Sequence, residues 1–420
     1  MSEQKQRSVW DDMGGVGTAL PKNERKKVVL LPDPEPRQRF RPIISVDDHI
    51  VEPPGMFDGR LPRKFEDRTP RVVEDEFGNE AWRLEGKTIS TIGLSAVVGR
   101  DLEDWNTDPA RFDEMRPGCW QIKERVRDMD VAGIYASLGF GSYLPGFAGR
   151  VFSRIRDQEF GLALTRAWNS WHLEEWAGPY PDRIIPCQLP WLNDPTVAAE
   201  EIRTNAALGF KAVSFTENPA AHGLPSLHTT HWDPFFRACE ETQTVVCLHG
   251  GSSGWTPVQA KDAPLGEFAA LFTINATVAL VDWLWAGIAH RFPSLKIALS
   301  ESGISWVPAM MERLDWVIDH SVKADATSWP HGEMLPSDVV RKNFWFCSIH
   351  DPIGIKLRHE IGVSQIMLES DYPHSDSSWP DTQQMTQDLI GEIPADEADQ
   401  IAWRNAAELF RHPAPASVNW

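Results

Sequence analysis

Residues 183–216, RIIPCQLPWLNDPTVAAEEIRTNAALGFKAVSFT, hold one complete unit of the pattern that decides the fold. Two short apolar runs, 183–189 and 211–216, flank a segment at 194–209 whose residues suit a helix. Strand, helix and strand in this order indicate two parallel strands joined by a helical crossover. This stretch therefore predicts an α/β protein built on a parallel sheet.

The same alternation extends outward from this unit, beginning at residue 42. Further helices are predicted at 160–177, 231–242, about 268–290, 306–319 and 385–393. The eight apolar runs that we predict as strands are 42–47, 131–138, 183–189, 211–216, 244–249, 295–301, 344–349 and 365–370. Eight such alternations favour a closed (β/α)8 TIM barrel over an open sheet, where fewer strands are usual.

Two regions depart from the barrel pattern. Residues 1–40 mix charge, glycine and proline without sustained periodicity, so we predict an irregular N-terminal arm ahead of a barrel that occupies 41–420. More than 80 residues separate the first predicted strand from the second, which predicts an insertion at 60–125 with a β-hairpin at 74–91. An insertion after strand 1 leaves from the face where barrel active sites lie, so we expect it to form a lid.

The composition restricts the class of protein. The 420 residues are 42% hydrophobic and 24% charged, as in globular proteins, and the sequence holds neither an apolar run of membrane-spanning length nor a secretory leader. The 60 acidic and 41 basic side chains give a net charge of −19, which argues against nucleic-acid and membrane partners and leaves a small-molecule substrate. Five cysteines without a C-x-x-C pair argue against disulfides and a thiolate metal site, so we expect a cytoplasmic protein.

Metal-binding side chains follow several of the predicted strands. The C-terminal ends of barrel strands meet at one mouth, so these side chains are expected to converge. They are Asp47 and His49, which share one face of strand 1, His249 after strand 5, Glu301 after strand 6, and Asp371 with His374 after strand 8. Singly, each carboxylate could cap a helix or pair with a neighbour. Together, carboxylates and imidazoles without basic partners would repel one another unless a cation held them, which favours a site for Zn, Mn or Fe.

The segments that carry these residues resemble a known family. They are SVDDHIVEP (45–53), EEIRTNAALGFKAVSF (200–215), WDPFFRACEETQTVVCLHGGSS (232–253), LKIALSESGISWVPAMMERLDW (295–316) and QIMLESDYPHSDSSWP (365–380). Over about residues 42–410 the chain resembles the amidohydrolase superfamily, in the branch of aminocarboxymuconate-semialdehyde decarboxylase and related aromatic-acid decarboxylases. The resemblance implies a divalent metal held by Asp47, His49, His249 and Asp371, and it implies a homodimer.

Strand 6 departs from the decarboxylase pattern. Those enzymes carry A-H-G-G there, whereas this chain reads S-E-S-G with Glu301. A carboxylate replaces that imidazole in proton transfer only if its pKa is raised, but it can bridge or bind a second cation. The alternative is that Glu301 caps the helix that begins near Ser305. This departure favours hydrolysis, and the Glu-bearing sequence also resembles non-haem di-iron thioesterases.

The sequence therefore predicts a hydrolase with one or two metal ions. Metal-activated water attacks an acyl carbonyl, a thioester in preference to an amide or ester, with Asp371 taking the proton and His374 assisting the leaving group. Non-oxidative decarboxylation of an aromatic or unsaturated acid is the alternative. A third class, a binding protein whose mouth carboxylates are merely salt-bridged, also stays open.

Other residues near the predicted mouth have open roles. Glu369 is either a further ligand or a buried partner of Lys211, and roles in substrate binding stay open for His350 and for the loop with His222, His228 and His231. The 19 tryptophans are an unusual excess. We expect several of them to wall the mouth for a bulky apolar acyl group: Trp82, Trp105 and Trp120 from the insertion, and Trp255, Trp306 and Trp379 from loops after strands.

Overall fold

The computed structural model describes residues 28–74, 78–90, 93–105, 111–258, 260, 263–320 and 329–417. The predicted class is confirmed, because a parallel sheet lies at the centre of an α/β fold. The strands are β1 (Ile44–Ile50), β2 (Arg71–Glu74), β3 (Glu80–Leu84), β4 (Lys87–Ser90), β5 (Ala136–Gly141), β6 (Ile184–Ile185), β7 (Cys187–Gln188), β8 (Ala212–Phe215), β9 (Val245–His249), β10 (Ile297–Ser300), β11 (Phe344–Ser348) and β12 (Ile366–Leu368).

The helices that connect and cover these strands follow the predicted alternation. They are α1 (Ile122–Ala132), α2 (Arg150–Ser153), α3 (Gln158–Trp171), α4 (Pro195–Leu208), α5 (Asp233–Thr242), α6 (Leu265–Ala270), α7 (Phe272–Trp285), α8 (Ile288–Arg291), α9 (Val307–His320), α10 (Pro336–Asn343), α11 (Pro352–Lys356), α12 (Arg358–Ile361), α13 (Thr382–Ile390), α14 (Ala395–Asp399) and α15 (Asn405–Phe410). Helix α4 shows how local sequence sets the ends. The Asp194 side chain accepts hydrogen bonds from the first turn, and Gly209 ends the helix at φ 122°.

The central sheet closes into a ring, and Pro186 lies at the point of closure. Its order is β6, β5, β1, β12, β11, β10, β9, β8 and β7, and every neighbouring pair is parallel. Strands β6 and β7 at the two ends of this order are separated only by Pro186, which has no N–H to donate to a ladder. They are therefore the two halves of the third barrel strand, and the sheet is the ring of a (β/α)8 barrel.

Two apolar layers stabilise the ring. Small and medium side chains fill its interior, among them Ala212, Cys247 and Cys347. Larger side chains such as Phe236 and Trp283 pack between the strands and the surrounding helices. This division leaves the carboxyl ends of the strands open for polar residues, as in other α/β barrels.

Several predicted boundaries are wrong, and each has a local cause. The second strand is Ala136–Gly141 and not 131–138, because Val131 and Ala132 complete helix α1, which ends at Gly133 with φ 69°. The long helix predicted at 268–290 is three helices, with Gly287 in a left-handed conformation before the last. The first strand extends to Ile50, three residues past its predicted end.

The region between β1 and α1 contains an antiparallel sheet of three strands, β2, β3 and β4. We predicted a hairpin at 74–91, which covers β3 and β4 but misses most of β2, while part of its first turn lies outside the described residues. Arg68 ties the β3–β4 turn to the barrel, since its guanidinium donates to Glu85 at 2.9 Å and to Asp157 at 2.6 Å. The sheet is thereby fixed beside the start of α3.

The N-terminal segment lies along the barrel where it is described. Residues 28–41 contain only an isolated bridge between Leu30 and Arg100, and the Gln383 side chain accepts a hydrogen bond from the Phe40 N–H at 2.7 Å. Residues 1–27 of the predicted arm lie outside the described residues. Among the described helices, none has the length and hydropathy needed to cross a bilayer.

Candidate metal centre

Four side chains from three parts of the ring meet at the carboxyl ends of the strands. Asp47 and His49 belong to β1, His249 ends β9, and Asp371 follows β12; each is at most 2% exposed. The His49 Nε2 lies 3.1 Å from the His249 Nε2, 3.5 Å from Asp47 Oδ1 and 3.2 Å from Asp371 Oδ1. The structure thus brings together the four metal ligands that the resemblance implies, and the fifth predicted ligand, Glu301, lies beside His249.

The orientation of His249 suits metal binding. Its Nδ1 is 2.7 Å from the Gly250 carbonyl oxygen, an acceptor, so Nδ1 carries the proton in the neutral ring. The unprotonated Nε2 then points at His49 Nε2 and at Asp47 Oδ1, 3.5 Å away. A backbone carbonyl that fixes the tautomer in this way is a common support of metal-binding histidines.

The carboxylates give the strongest indication that a cation binds here. Both oxygens of Asp47 and both oxygens of Asp371 are buried and accept no hydrogen bond from the described residues. Buried carboxylate oxygens without partners are costly, and a bound ion removes that cost. The nitrogen and oxygen atoms of Asp47, His49 and His249 lie within 4.8 Å of one another, as do those of His49, Asp371 and His374. The donor set therefore fits a divalent metal.

The titration of these groups follows from their crowding. Burial raises the pKa of Asp47 well above its usual range, and the neighbouring carboxylates of Glu369, Asp371 and Glu301 raise it further. Burial and the nearby His374 ring lower the pKa of His49 to about 4. The carboxylates cannot all be ionised without a cation, whereas the imidazole is already neutral and ready to bind one.

Glu301 lies at this centre. Its Oε2 is 3.4 Å from the His249 Nε2, and its backbone adopts φ 53°, which a non-glycine residue seldom does. The sequence left open whether Glu301 caps the helix that follows. In the structure, the loop before α9 is held by Ser305 instead, whose hydroxyl donates a hydrogen bond to Asp351 at 3.0 Å. Burial and the charge of Asp371 raise the pKa of Glu301 well above its usual range. Glu301 is therefore placed either to bind a metal or to hold a proton.

Glu369 lies one layer deeper, as the period of two along the strand predicts. Its Oε2 accepts the Glu301 backbone N–H at 3.0 Å, and burial together with the charge of Asp371 raises its pKa to about 8. Lys211 was the alternative partner of Glu369 considered from the sequence. Its pKa is instead lowered by burial and by the nearby positive charge of Arg411. Glu369 thus positions the backbone of Glu301 from below.

His374 touches the centre from the loop that follows β12. Its Nδ1 is 3.2 Å from Asp371 Oδ1, and its ring stacks on His49 with centroids 3.7 Å apart. The ring is partly exposed toward the cavity, while Asp371 is buried. His374 can therefore contact both a metal ligand and a bound substrate.

Buried groups that sequence patterns missed hold the ligands from behind. The Asp48 carboxylate accepts hydrogen bonds from Ser137 and Ser370 and from the Tyr372 backbone N–H. Arg125 of α1 donates to the carbonyl oxygen of His49. Asp48 alternates with Asp47 and His49 along β1 and so faces away from them, and nothing in the sequence around Arg125 pointed to this role.

A cavity of about 1620 Å³ opens above the centre. Its floor carries His49, His249, Glu301, Asp371 and His374. Its walls include Leu84 and Ile89 of the insertion, Phe147, Val151 and Ile155 after β5, and Phe272 of α7. This volume is larger than a single-ring acid requires, since pockets for drug-sized molecules hold roughly 300–1,000 Å³.

The expectation that tryptophans wall this mouth is wrong. Among the described residues that line the cavity there is no tryptophan. Trp82 packs edge-on against Phe57, whereas Trp306 and Trp379 turn their Nε1–H groups to backbone carbonyls at 2.8 and 3.0 Å. Burial of the ring and the need to satisfy the indole N–H thus direct these side chains into the core.

The four histidines whose roles the sequence left open divide into two sets. His350 lines the cavity beside Asp351. The other three contact neighbours away from it: His222 meets the Ser252 carbonyl at 2.8 Å, His228 meets Asp282 at 2.8 Å, and His231 packs on Trp232. Of these four histidines, His350 alone lines the cavity.

Comparison with known proteins agrees with this fold. A family model described as amidohydrolase matches residues 76–412. An amidohydrolase of Mycobacterium avium subsp. paratuberculosis K-10 superposes with a TM-score of 0.68 at 22% identity, over 89% of this chain and 100% of that one.

Two other solved structures are decarboxylases with bound manganese. The 5-carboxyvanillate decarboxylase of Novosphingobium aromaticivorans DSM 12444 matches with a TM-score of 0.62 at 18% identity, over 90% of this chain and 98% of that one. A dihydroxybenzoic acid decarboxylase of Polaromonas sp. JS666 matches with a TM-score of 0.57 at 18% identity, over 89% and 97%. At these identities the likeness shows a shared barrel fold.

Proposed function

The chain belongs to the amidohydrolase family, and from that premise we propose that it is a metal-dependent, non-oxidative decarboxylase of a bulky aromatic or unsaturated acid. The observation that carries the proposal is the ligand set of Asp47, His49, His249 and Asp371 on the floor of a large cavity. Solved proteins of the same fold that are named as decarboxylases support it. This choice reverses the preference for hydrolysis drawn from the sequence.

We propose a single manganese ion. His49 belongs to both groups of candidate ligands, so the two groups describe one centre. Manganese is bound in the two decarboxylase structures of the same fold. Mixed imidazole and carboxylate ligands without thiolates suit this metal.

The chain's own residues supply the proton chemistry. A bound divalent cation would stabilise negative charge on the substrate carboxylate or an adjacent oxygen. The carbon–carbon bond to the carboxylate breaks, its electron pair stays on the substrate carbon, and carbon dioxide leaves. That carbon then takes a proton, and Glu301 is the candidate donor, since its partly buried carboxyl with a raised pKa borders His249. The raised pKa meets the condition under which a carboxyl replaces an imidazole.

Hydrolysis of an acyl thioester or ester is the second candidate. Two observations favour it: the Glu301 carboxylate lies 3.4 Å from His249 Nε2, where it would help to hold a second cation, and the cavity of about 1620 Å³ suits a bulky acyl group. In that reaction Asp371 would take a proton from the attacking water and His374 would protonate the leaving group. A two-ion centre would be expected there and not in the decarboxylase.

The test measures whether the carboxyl carbon of the substrate is released as carbon dioxide. Manganese-loaded protein is incubated with carboxyl-¹³C hydroxybenzoates and, separately, with aryl and alkyl acyl thioesters, and the release of labelled carbon dioxide and of free thiol is measured. We expect carbon dioxide, and we expect Glu301→Gln to lower its rate by about 10²–10⁴-fold, because an amide cannot supply the proton.

The control is Glu312→Gln, an equivalent change on the exposed face of α9, which should leave the rate unchanged. Metal content is measured for both variants, so that a lost proton donor is separated from a lost metal. Thiol release without carbon dioxide, with two ions per chain, would replace the proposal by hydrolysis.

A further inference from the structure

Two hydroxyl groups from distant parts of the chain meet in the wall of the cavity. Ser95 of the insertion and Tyr143 of the loop after β5 both line it, and the Ser95 hydroxyl donates to the Tyr143 phenol oxygen at 3.0 Å. Of the four tyrosines in the chain, Tyr143 alone lines the cavity. The apolar side chains of Leu94 and Phe147 line it as well. The hydroxyl pair of Ser95 and Tyr143 therefore places polar groups beside apolar ones in the same wall.

The loop that carries Tyr143 is fixed by a buried carboxylate. Glu52, two residues after β1, is fully buried and accepts the Ser142 N–H at 3.1 Å and the Trp168 Nε1–H at 2.9 Å. The Ser142 hydroxyl donates to the same carboxylate. Gly141 lets the backbone approach it, because a Cβ there would lie 3.1 Å from Glu52 Oε1. The residue next to Tyr143 thus has a defined position.

Ser95 is fixed from the opposite side of the cavity. Its side chain is buried, and the Val97 N–H, two residues further on, donates to the Pro373 carbonyl oxygen at 3.1 Å. Pro373 immediately precedes His374, which touches the metal centre. The insertion therefore holds Ser95 beside the loop that carries His374.

The hydroxyl pair also lies near the metal centre. Phe147, four residues after Tyr143, stacks on the ring of His249 with centroids 4.2 Å apart. Burial raises the pKa of the Tyr143 phenol, and the nearby Glu301 carboxylate raises it further. The phenol thus keeps its proton and borders the space above the candidate ligands.

The two hydroxyl groups hold one more proton than their mutual hydrogen bond uses. Each hydroxyl has one proton to donate, and the bond between them takes one of the two. Within the described parts of the chain, neither side chain has a second hydrogen-bond partner. Whichever oxygen donates inside the pair, one O–H therefore stays without an acceptor. A donor withdrawn from water is costly to leave unpaired, so this proton is placed to bind a molecule in the cavity.

We propose that the hydroxyl pair of Ser95 and Tyr143 binds a neutral carbonyl oxygen of the substrate, remote from the reacting carboxyl group. A carbonyl uses the remaining proton and brings no donor of its own that would need an acceptor. An anionic oxygen in this place would be repelled by Glu301 whenever that carboxyl is ionised. The substrate class is then an acid with a carbonyl substituent. The inference rests on the proposed function only for the carboxyl group at the metal.

The test compares two acids that differ in one oxygen. The manganese-loaded protein is titrated by calorimetry with para-acetylbenzoate and with para-isopropylbenzoate, which has nearly the same shape but no carbonyl, and the meta isomers are measured in parallel. We expect the unmodified protein to prefer an acetyl acid. Tyr143→Phe and Ser95→Ala should each weaken binding of that acid by about 3–10-fold, the range expected for one lost hydrogen bond, and leave binding of the isopropyl acid unchanged.

The matched control is Tyr180→Phe, which removes the same hydroxyl from a partly buried tyrosine that does not line the cavity. This variant should keep the full preference for the acetyl acid. The metal content of every variant is measured, so that a lost hydrogen bond is separated from a lost metal.

The affinity ratio of the two acids decides the outcome. An equal ratio in the unmodified protein, Tyr143→Phe and Ser95→Ala would overturn the inference, as would an unmodified protein that shows no preference for either acetyl isomer. Because turnover is not measured, a failed carbon dioxide assay with the preference intact would overturn only the decarboxylase.

Discussion

Glu301 and Asp371 share a backbone conformation that non-glycine residues seldom adopt, with φ of 53° and 51°. A left-handed conformation costs an L-residue about 1–2 kcal/mol, so it persists only where surrounding contacts impose it. Here the Asp371 N–H donates to the Asp47 carbonyl at 2.9 Å, and the Glu301 N–H donates to Glu369 at 3.0 Å. Glu301 follows β10 immediately and Asp371 comes three residues after β12, and this turn brings both carboxylates over the mouth of the barrel.

The ligands themselves are open to a direct experiment. Replacing His249 by alanine removes one of the four candidate donors, and we expect manganese affinity to fall by at least about tenfold, the lower end of what losing even a supporting residue costs. Metal content after dialysis against graded manganese concentrations measures this. His359→Ala, at a side chain that is 61% exposed and outside the cavity, is the control. Unchanged metal content in His249→Ala would remove this residue from the site.

The sequence predicts the positions of some side chains better than those of others. Asp47 and His49 follow from the period of two along a strand, because that rule alone sets which side chains face inward. The tryptophans could not be placed in this way. Their position depends on which backbone carbonyl takes the indole N–H, as Ser302 does for Trp306, and that partner is known only once the chain has folded.

At the scale of elements, the β3–β4 turn depends on one side chain. Arg68 joins Glu85 of that turn to Asp157, the N-cap residue of α3. Without Arg68, the turn loses its ion pairs with the barrel. The cavity wall formed by residues 84–89 should then open more readily.

We expect Arg68→Ala to increase amide hydrogen exchange in residues 80–90 while exchange in β1 and β12 stays unchanged. Hydrogen exchange with mass spectrometry measures both at once. Since Arg68 is partly exposed, the thermal midpoint of the whole protein should change little. Arg203→Ala, which breaks a surface pair on the outer helices, is the matched control. Equal protection of residues 80–90 in both variants would show that the pair network does not hold the turn.

The elements also show where prediction from sequence stops. Each barrel strand was located to within a few residues, because apolar runs between helices are a strong local signal. The ends were less accurate. Val131 and Ala132 have the composition of a strand but complete α1, and only the left-handed Gly133 marks the boundary. The third strand is broken at Pro186, whose effect depends on its place in the ring.

At the scale of the whole molecule, the buried carboxyls couple stability to pH. Burial raises the pKa of Glu369 to about 8 and that of Glu217 to about 7, and it raises the pKa of Asp47 and Glu301 well above their usual range. Above pH 6.5 the unfolded chain has released these protons, while the folded, metal-free protein still holds some of them. The folded state therefore binds more protons, and its stability falls as pH rises.

We expect the thermal midpoint of the chelator-treated protein to fall between pH 6.5 and pH 8, and manganese to reduce that fall, because the ion replaces the protons on Asp47 and its neighbours. In this window a histidine with a lowered pKa, such as His49, acts in the opposite direction, because the unfolded imidazole is still half protonated at its ordinary pKa of 6.5. Each such histidine releases at most about half a proton on unfolding here, less than a carboxyl whose pKa is raised to about 8. Differential scanning calorimetry at both pH values, with and without manganese, makes the measurement.

Glu217 provides the control for this measurement, because it accepts the Ser253 N–H away from the metal ligands. Glu217→Gln should remove a part of the pH dependence that manganese does not affect. A midpoint in the chelator-treated protein that is constant from pH 6.5 to pH 8 would mean that the carboxyls are ionised without a cation.

The overall architecture was predictable because it depends on many local signals that agree. The barrel, the insertion after strand 1 and the position of the ligands all follow from the spacing of apolar runs and from the strand-end rule. The reaction was not predictable to the same depth. In the proposed reaction the proton donor is Glu301, whose environment is created by Glu369 and Asp371 only in the folded protein.

The Asp48 carboxylate, which binds hydroxyl groups of Ser45, Ser137 and Ser370, has a consequence for the choice of substrate. It joins three neighbouring strands beneath the metal ligands, whereas the cavity walls come from residues 84–89 and 141–156, outside that junction. Changes in the walls can therefore alter which substrate the cavity accepts while the candidate ligands keep their positions. The residues that would hold the metal and the residues that would choose the substrate thus belong to separate parts of one chain.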